Sequence, residues 1–374
     1  MSLTRATSQS GRSSGADRLP ALTGLRFVAA IAVFANHAGL ESVFRSDTAN
    51  FVLAGATASL AQAAVAFFFM LSGFVLTWSA RPDDTPGRFW RRRAAKVLPN
   101  HLVTWTAGLL LMLAVSEPVP LGHVLPSLGL VQAWIPVIPI IEGTDGPSWS
   151  LACEALFYLS FPFLAPLVAR IRPERLWLAS GGLCLGIITV PFISLLLPYE
   201  PTLFGLPAPF WRVWFTVFLP PVRLLDFALG IVIARIVLAG RWPRVRPVVA
   251  VLAGVLAWGV SLALPVPFGL IAPFVVPLML LLGSCCQLRT ALGGPTMVRL
   301  GELSFAFYLV HWLVLHYAHV ALGGGQYGAP AAIGFLLAAF AVTLALSSLL
   351  SHVVEQPAMR RLSRPKSPTL QEER

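Results

Sequence analysis

Charged residues are scarce in this chain. Asp, Glu, Lys and Arg make up 11% of the 374 residues, whereas hydrophobic residues make up 56%. A soluble domain carries roughly 25% charged residues, so the composition excludes an ordinary water-soluble protein. The apolar residues form blocks of about 20, the length that a helix needs to cross a bilayer. The period-two alternation that is typical of membrane β-strands is absent from the sequence.

Cysteines are also few. The sequence has four, all within or beside apolar segments: Cys153, Cys184, Cys285 and Cys286. None has the spacing of a metal site, and they form no disulfide framework. We interpret them as small core residues and predict no metal.

The net charge of +11 does not indicate nucleic acid, because the cations lie in short loops between apolar blocks. That distribution is typical of charges that orient membrane helices and contact anionic lipids.

Ten apolar segments predict an all-α fold, a polytopic transmembrane helical bundle. The segments are 23–41, 58–80, 97–116, 148–169, 176–197, 215–238, 246–264, 268–288, 302–322 and 330–354. With a cytosolic N-terminus, 24 of the 27 cations fall on the cytosolic side, as the positive-inside rule requires. Both termini are then cytosolic, and 117–147 is an outer loop.

The ends of the chain differ in composition from the apolar centre. Residues 1–18, rich in Ser, Arg and Gly, predict a disordered cytosolic tail, and a transit peptide is the alternative. A membrane domain follows over 19–356, and 357–374 form a basic cytosolic tail.

Arg26 and His37 lie in the first apolar segment, eleven residues apart. A helix turns ~100° per residue, so both side chains share one face and are separated by ~16 Å of rise. A cation and a proton-exchanging imidazole are costly inside a membrane, which indicates a functional site.

A basic cluster, Arg91–Arg93 with Lys96, precedes the third apolar segment. It is either a topological stop signal or a phosphate clamp, because Arg binds phosphate oxygens with two hydrogen bonds. Arg93 and Lys96 are three residues apart at a helix start and share a face.

The fourth segment begins with GPSWSLACEALFYLSF, in which Glu154 lies about one turn inside an apolar helix. Glu154 is either a structural partner of an Arg or a residue that moves protons or orients the substrate. Trp149 is a candidate for the aromatic belt at the outer interface.

Four further groups are notable. Arg223 and Asp226, spaced i, i+3 within a span, predict an ion pair that fixes helix packing. Tyr308 and His311 lie one turn apart and could bind a common partner.

Two more histidines in that segment, His316 and His319, lie near the outer interface and are interpreted as satisfied polar residues. Glu355 is interpreted as a helix cap or a partner of Arg360.

Five fragments in order resemble the membrane acyltransferase-3 family in its standalone ten-helix form. They are LTGLRFVAAIAVFANH (R-x10-H), AFFFMLSGFVL, RAAKVLPNH, PSWSLACEALFYL and LSFAFYLVH. The sequence departs from the family pattern at Lys96, where Arg is usual, and at Phe305, where Tyr is usual. The fifth to eighth segments match only in hydropathy.

The resemblance implies a bacterial O-acyltransferase of the cytoplasmic membrane. It would move an acyl group from acyl-CoA, a co-substrate rather than a bound cofactor, to a hydroxyl of a sugar or glycosylated metabolite. It implies that Arg26, Arg93 and Lys96 bind the donor, that His37 is the general base, and that Glu154 orients the imidazole or the acceptor. Four residues of the matching segments would position the substrate: Trp149, Ser150, Tyr308 and His311.

Two other classes compete with the enzyme. In a proton-coupled transporter or flippase, Arg26, His37 and Glu154 would form a proton relay without acyl chemistry. A non-catalytic membrane sensor is the third class. A covalent acyl-enzyme and direct transfer both remain open, as do the acyl chain, the acceptor and the oligomeric state.

Overall fold

The chain folds as a polytopic helical membrane bundle. The computed structural model describes residues 19–81, 84–203, 208–285 and 291–362. The predicted tail 1–18, residues 363–374 of the second predicted tail, and Cys286 lie outside the described residues. Within the described ranges the helices are α1 Pro20–Leu40, α2 Asp47–Trp78, α3 Pro86–Ala114, α4 Leu121–Leu128, α5 Ile138–Glu142, α6 Trp149–Ala169, α7 Leu176–Ser194, α8 Phe210–Val213, α9 Pro220–Leu238, α10 Pro247–Ala263, α11 Val275–Cys285, α12 Pro295–Ala321, α13 Ala329–Leu350 and α14 Gln356–Leu362.

Eight helical segments of the described chain are long and apolar enough to cross a membrane, and α10 and α11 are shorter apolar helices. Each of the ten predicted segments coincides with one of these ten. The number of crossings and the cytosolic side of the termini stay predictions. We call the end of the bundle that holds Leu40, Ala114 and Ala321 the predicted outer end, and the opposite end the predicted inner end.

Two helices begin about eleven residues earlier than the sequence predicted. The Ser46 hydroxyl accepts a hydrogen bond from the Ala49 amide, and the Thr85 hydroxyl accepts one from the Arg88 amide. Such caps satisfy amides that lack a partner within the helix. Because α3 starts at Pro86, its first turns carry the whole basic cluster.

Close contact between α2 and α9 forms the centre of the bundle. Gly73 lies against the Phe227 carbonyl, and Gly230 lies against the Met70 carbonyl. Small residues of this kind let membrane helices approach closely.

Buried polar and small groups surround this contact. The predicted ion pair is confirmed, because Arg223 Nη2 lies 3.1 Å from Asp226 Oδ2 with both residues buried. Cys153, Cys184 and Cys285 are buried with free thiols, which confirms the core role predicted for them.

Segment 117–147 was predicted as an outer loop. It packs into the bundle instead of lying outside it, and the side of the membrane to which it belongs stays a prediction. The segment enters the bundle between α3 and α6, where Gln132 and Ala133 are fully buried. His101, midway along α3, has its Nε2 3.4 Å from the Leu128 carbonyl oxygen. The Thr144 carbonyl packs against Gly108 of α3. We call 117–147 the re-entrant segment.

Candidate active site

Two histidines from opposite ends of the chain meet in the bundle. His37 Nδ1 on α1 lies 2.8 Å from His311 Nε2 on α12, and the rings stack at a centroid distance of 5.0 Å. His311 is fully buried, and Phe34 and Phe307 flank its ring. His37 is only half-buried, so part of its imidazole remains accessible to a substrate.

The hydrogen bonds determine which nitrogen of each ring carries a proton. His311 Nδ1 lies 2.7 Å from the Tyr308 carbonyl oxygen, and a carbonyl can only accept, so Nδ1 is protonated. Charging an imidazole in an apolar site is costly, so we assign the neutral form, whose Nε2 is an acceptor. His37 Nδ1–H therefore donates to His311, and the lone pair of His37 lies on Nε2, as a general base requires.

A second cluster lies toward the predicted inner end. Glu154 of α6 shares a cavity with Arg26 of α1, and it interacts electrostatically with Arg26, Lys96 and Arg93. The Tyr158 hydroxyl donates to Glu154 Oε2 at 2.9 Å. We call Arg26, Arg93, Lys96 and Glu154 the inner cluster.

The position of Glu154 differs from the orienting role that the resemblance implied. The hydrogen-bond partner of His37 is His311, whereas Glu154 faces the cations of the inner cluster. Helices α1 and α3 bring those cations to Glu154 from more than 50 residues away in sequence. This placement supports the alternative of a carboxylate that balances half-buried Arg and Lys, whereas a role of Glu154 in orienting the acceptor stays a prediction.

Arg92 and Arg93 differ in their partners. Arg92 forms a two-pronged ion pair with Asp84, and this hydrogen bonding lowers the pKa of the Asp84 carboxyl. The Nε of Arg93 is buried without a hydrogen-bond partner among the described residues. Arg93 lines a cavity of about 420 Å³ at the predicted inner end, together with Arg81 and Arg92. This cavity suits an anionic ligand.

A smaller cavity lies between the inner cluster and Tyr308. It has a volume of about 60 Å³, and Arg26 and Glu154 line it together with Ser150, Ser304 and Tyr308. Tyr308 also supplies the carbonyl that fixes the His311 tautomer. The cavity therefore lies between the inner cluster and the helical turn that precedes His311 on α12.

The remaining predicted positions have structural partners. Trp149 is 7% exposed and packs against Phe69 and Phe218, so the belt interpretation is wrong, since a belt residue faces the lipid interface. The Ser150 and Tyr308 hydroxyls both donate to the Pro147 carbonyl, at 3.2 and 3.0 Å. These bonds hold the end of the re-entrant segment beside the cavity.

Sequence reasoning missed two members of this region. Asn100 Nδ2 donates to Glu355 Oε2 at 3.0 Å, and Glu355 interacts electrostatically with Lys96 and Arg26. Glu355 thus lies beside the inner cluster instead of forming the cap or the Arg360 pair predicted for it. The available signal was the spacing of Lys96 and Asn100, which places them one turn apart on α3.

The histidines near the predicted outer end have partners, as the sequence predicted. His316 Nδ1 lies 3.1 Å from Glu41 Oε1, and its Nε2 lies 3.4 Å from Glu117 Oε1. His319 Nε2 lies 3.0 Å from the Gly325 carbonyl oxygen.

Comparison with known proteins identifies the family. A family model described as an acyltransferase domain, acyltransferase-3, matches residues 19–352. The chain belongs to the acyltransferase-3 family. It is 43% identical over 363 residues to "Acyltransferase MdmB" of Streptomyces mycarofaciens, covering 93% of each chain. It is 24% identical over 335 residues to "Nodulation protein 10" of Rhizobium leguminosarum bv. viciae, covering 79% of this chain and 82% of that protein. No solved structure matches the chain.

Because the chain belongs to this family and has eight helical segments long and apolar enough to cross a membrane, it is a multi-pass membrane acyltransferase. The matched range spans α1 to α13, so it includes His37, the inner cluster and His311. In this acyltransferase, one face of α1 carries both Arg26 and His37, and the small cavity lies beside that helix.

Proposed function

We propose that this acyltransferase moves an acyl group from acyl-CoA to a hydroxyl of a sugar or glycosylated metabolite, with His37 as the general base. The observation that supports this proposal most directly is the hydrogen-bond chain from the Tyr308 carbonyl through His311 to His37. A half-buried imidazole with its free lone pair on one defined nitrogen is prepared to accept a proton.

The charge distribution supports a donor that arrives from the cytosol. The cavity of about 420 Å³ at the predicted inner end carries Arg81 and Arg93, and cations bind phosphates such as those of CoA. Arg26 and Lys96 continue this positive charge into the bundle. The long pantetheine arm would extend from them toward the histidine pair and bring the thioester to His37. The bacterial cytoplasmic membrane is the location consistent with this donor.

The reaction needs no protein nucleophile. His37 Nε2 takes the proton of the acceptor hydroxyl as the hydroxyl oxygen attacks the thioester carbon. His37 then becomes an imidazolium, and its Nδ1–H bond to His311 stabilises the charge. The C–S bond breaks as the tetrahedral intermediate collapses, and the proton on Nε2 passes to the departing CoA thiolate. The products are an ester and CoA.

A thiol-release assay tests the proposal. Purified protein in detergent is mixed with acetyl-CoA, with and without a panel of neutral and amino glycosides, and free CoA and acylated glycoside are quantified. We expect acceptor-dependent CoA release that matches ester formation in amount. Glycoside uptake into vesicles without ester formation would support the transporter instead. Comparison of acylated metabolites in cells with and without the protein then identifies the natural acceptor.

A further inference from the structure

Acidic residues gather at the predicted outer end, one helical turn beyond the histidine pair. Glu41 and Glu117 both contact His316. Asp145, in the re-entrant segment, interacts electrostatically with Tyr317, as Glu117 does. We call Glu41, Glu117 and Asp145 the outer carboxylates. They approach α12 from α1, from the start of the re-entrant segment and from its end.

Asp145 is the unusual member. It is 2% exposed, and neither carboxylate oxygen has a hydrogen-bond partner among the described residues. A buried polar group without a partner is costly, which suggests that a bound ligand supplies the missing partner.

The outer carboxylates keep an excess of negative charge. His316 has a carboxylate at each ring nitrogen, an arrangement that requires both nitrogens to donate and hence a positive ring. That ring balances one of Glu41 and Glu117. By the same reasoning His319, whose Nδ1 lies 3.5 Å from Glu41 Oε2 and whose Nε2 faces the Gly325 carbonyl, balances the second of these two residues, so Asp145 is the carboxylate left without a counter-charge. In a chain with a net charge of +11, this excess of negative charge favours a cationic ligand.

We propose that the outer carboxylates bind an ammonium group of the acceptor, so that the acceptor is an amine-bearing glycoside that enters from the predicted outer end. This inference rests on the proposed function. Glu41 follows His37 by one turn, a rise of ~6 Å, and Asp145 also interacts with Tyr308, one turn from His311. An ammonium held there would place a hydroxyl on the same or a neighbouring sugar ring close to His37 Nε2.

The experiment compares two acceptors that differ at one position. The first is the methyl glycoside of a 3-amino-3-deoxyhexose, and the second is the same glycoside with a hydroxyl at that carbon. Both are assayed with acetyl-CoA and the purified full-length protein. We expect the KM of the amino glycoside to be lower by about ten- to a hundredfold, as for hydrogen bonds to charged groups. We expect the ratio of the two KM values to fall toward one in Asp145→Asn and in Glu117→Gln.

Glu200→Gln is the matched control, because Glu200 is an exposed acid predicted on the same side of the membrane and lies apart from the outer carboxylates in sequence. It should keep the KM ratio of the parent. Melting curves establish that each variant is folded. If Asp145→Asn fails to fold, Glu117→Gln decides the matter, since Glu117 is only half-buried. Equal KM values for both glycosides in the parent, or an equal loss for both in the variants, would overturn the proposal.

A binding measurement without donor separates this inference from the proposed function. Binding of the amino glycoside is followed by calorimetry in the absence of acetyl-CoA. Preferential binding that Asp145→Asn abolishes, without acyl transfer, would retain the ammonium site and reject the proposed reaction. Acyl transfer without any preference for the amine would retain the reaction and reject the ammonium site.

Discussion

At the residue scale, proton transfer depends on one nitrogen of His37. Its Nδ1 is occupied by His311, and His311 is in turn fixed by the Tyr308 carbonyl. The two histidines therefore act as a base and its positioning residue.

We predict that His37→Ala lowers acyl transfer by about 10²–10⁴-fold, the usual effect of losing a general base, while the protein still folds. The measurement is the single-turnover acylation rate, beside a melting curve in detergent. His352→Ala is the matched control, since His352 is exposed near the predicted inner end. Near-parental turnover in a folded His37→Ala variant would remove the base assignment.

Substitution of two neighbouring arginines, Arg92 and Arg93, should affect donor binding to different extents. We predict that Arg93→Ala or Lys96→Ala raises the KM for acetyl-CoA more than it lowers kcat, because phosphates lie far from the reacting carbon. Arg92→Ala should raise this KM less, since Asp84 already occupies Arg92. The parent enzyme should bind the donor more weakly as salt increases, because exposed charges are screened. Unchanged KM values in Arg93→Ala and Lys96→Ala would leave the basic cluster with a topological role only.

Glu154→Gln tests the role that the structure assigns to this residue. Removing the carboxylate leaves Glu355 as the remaining acidic partner of Arg26 and Lys96, so we predict a loss of stability of about 1–3 kcal/mol. A lower melting temperature in detergent would report this loss. Any fall in acylation should follow the fraction of unfolded protein, so that the rate per folded molecule stays close to that of the parent. A variant with parental stability and turnover reduced by orders of magnitude would mean that Glu154 takes part in the reaction.

At the element scale, the sequence predicted the positions of the helices well, but it did not predict which helices pack against each other. Hydropathy and helical phase located the ten apolar segments and showed that Arg26 and His37 share a face. They could not show that α12 supplies the partner of His37, because 274 residues separate the two histidines. The re-entrant segment was missed because its short helices lack the long apolar run that marks a span.

The crossing of α2 and α9 gives a prediction at this scale. Gly230→Ala would drive a methyl group into the Met70 carbonyl, and overpacking of this kind typically costs about 1–3 kcal/mol. We expect a lower melting temperature in detergent. Gly254→Ala in α10 is the control, because open space surrounds that position. Equal melting temperatures for the two variants would mean that the close contact is not maintained in the membrane.

At the scale of the whole molecule, the topology determines which side each substrate comes from. We predict that a membrane-impermeant maleimide labels Gly325→Cys in intact cells. Ala239→Cys should be labelled only after permeabilisation, because it lies in the predicted inner end. Both positions are exposed, and the parent chain gives the background from its own cysteines. Labelling with the opposite pattern would reverse the assignment of donor and acceptor sides.

The re-entrant segment contacts helices that the ribosome makes before and after it. Gly108 precedes it, whereas Tyr308, which binds the Pro147 carbonyl, is synthesised 161 residues later. At ~5–20 residues per second, this delay is roughly ten to thirty seconds. During that time the nascent chain holds His37 in the bilayer without His311, and Pro147 without its tyrosine. The active site is therefore completed late in biogenesis, and a chain truncated before α12 would expose unpaired polar groups that membrane quality-control proteases can recognise.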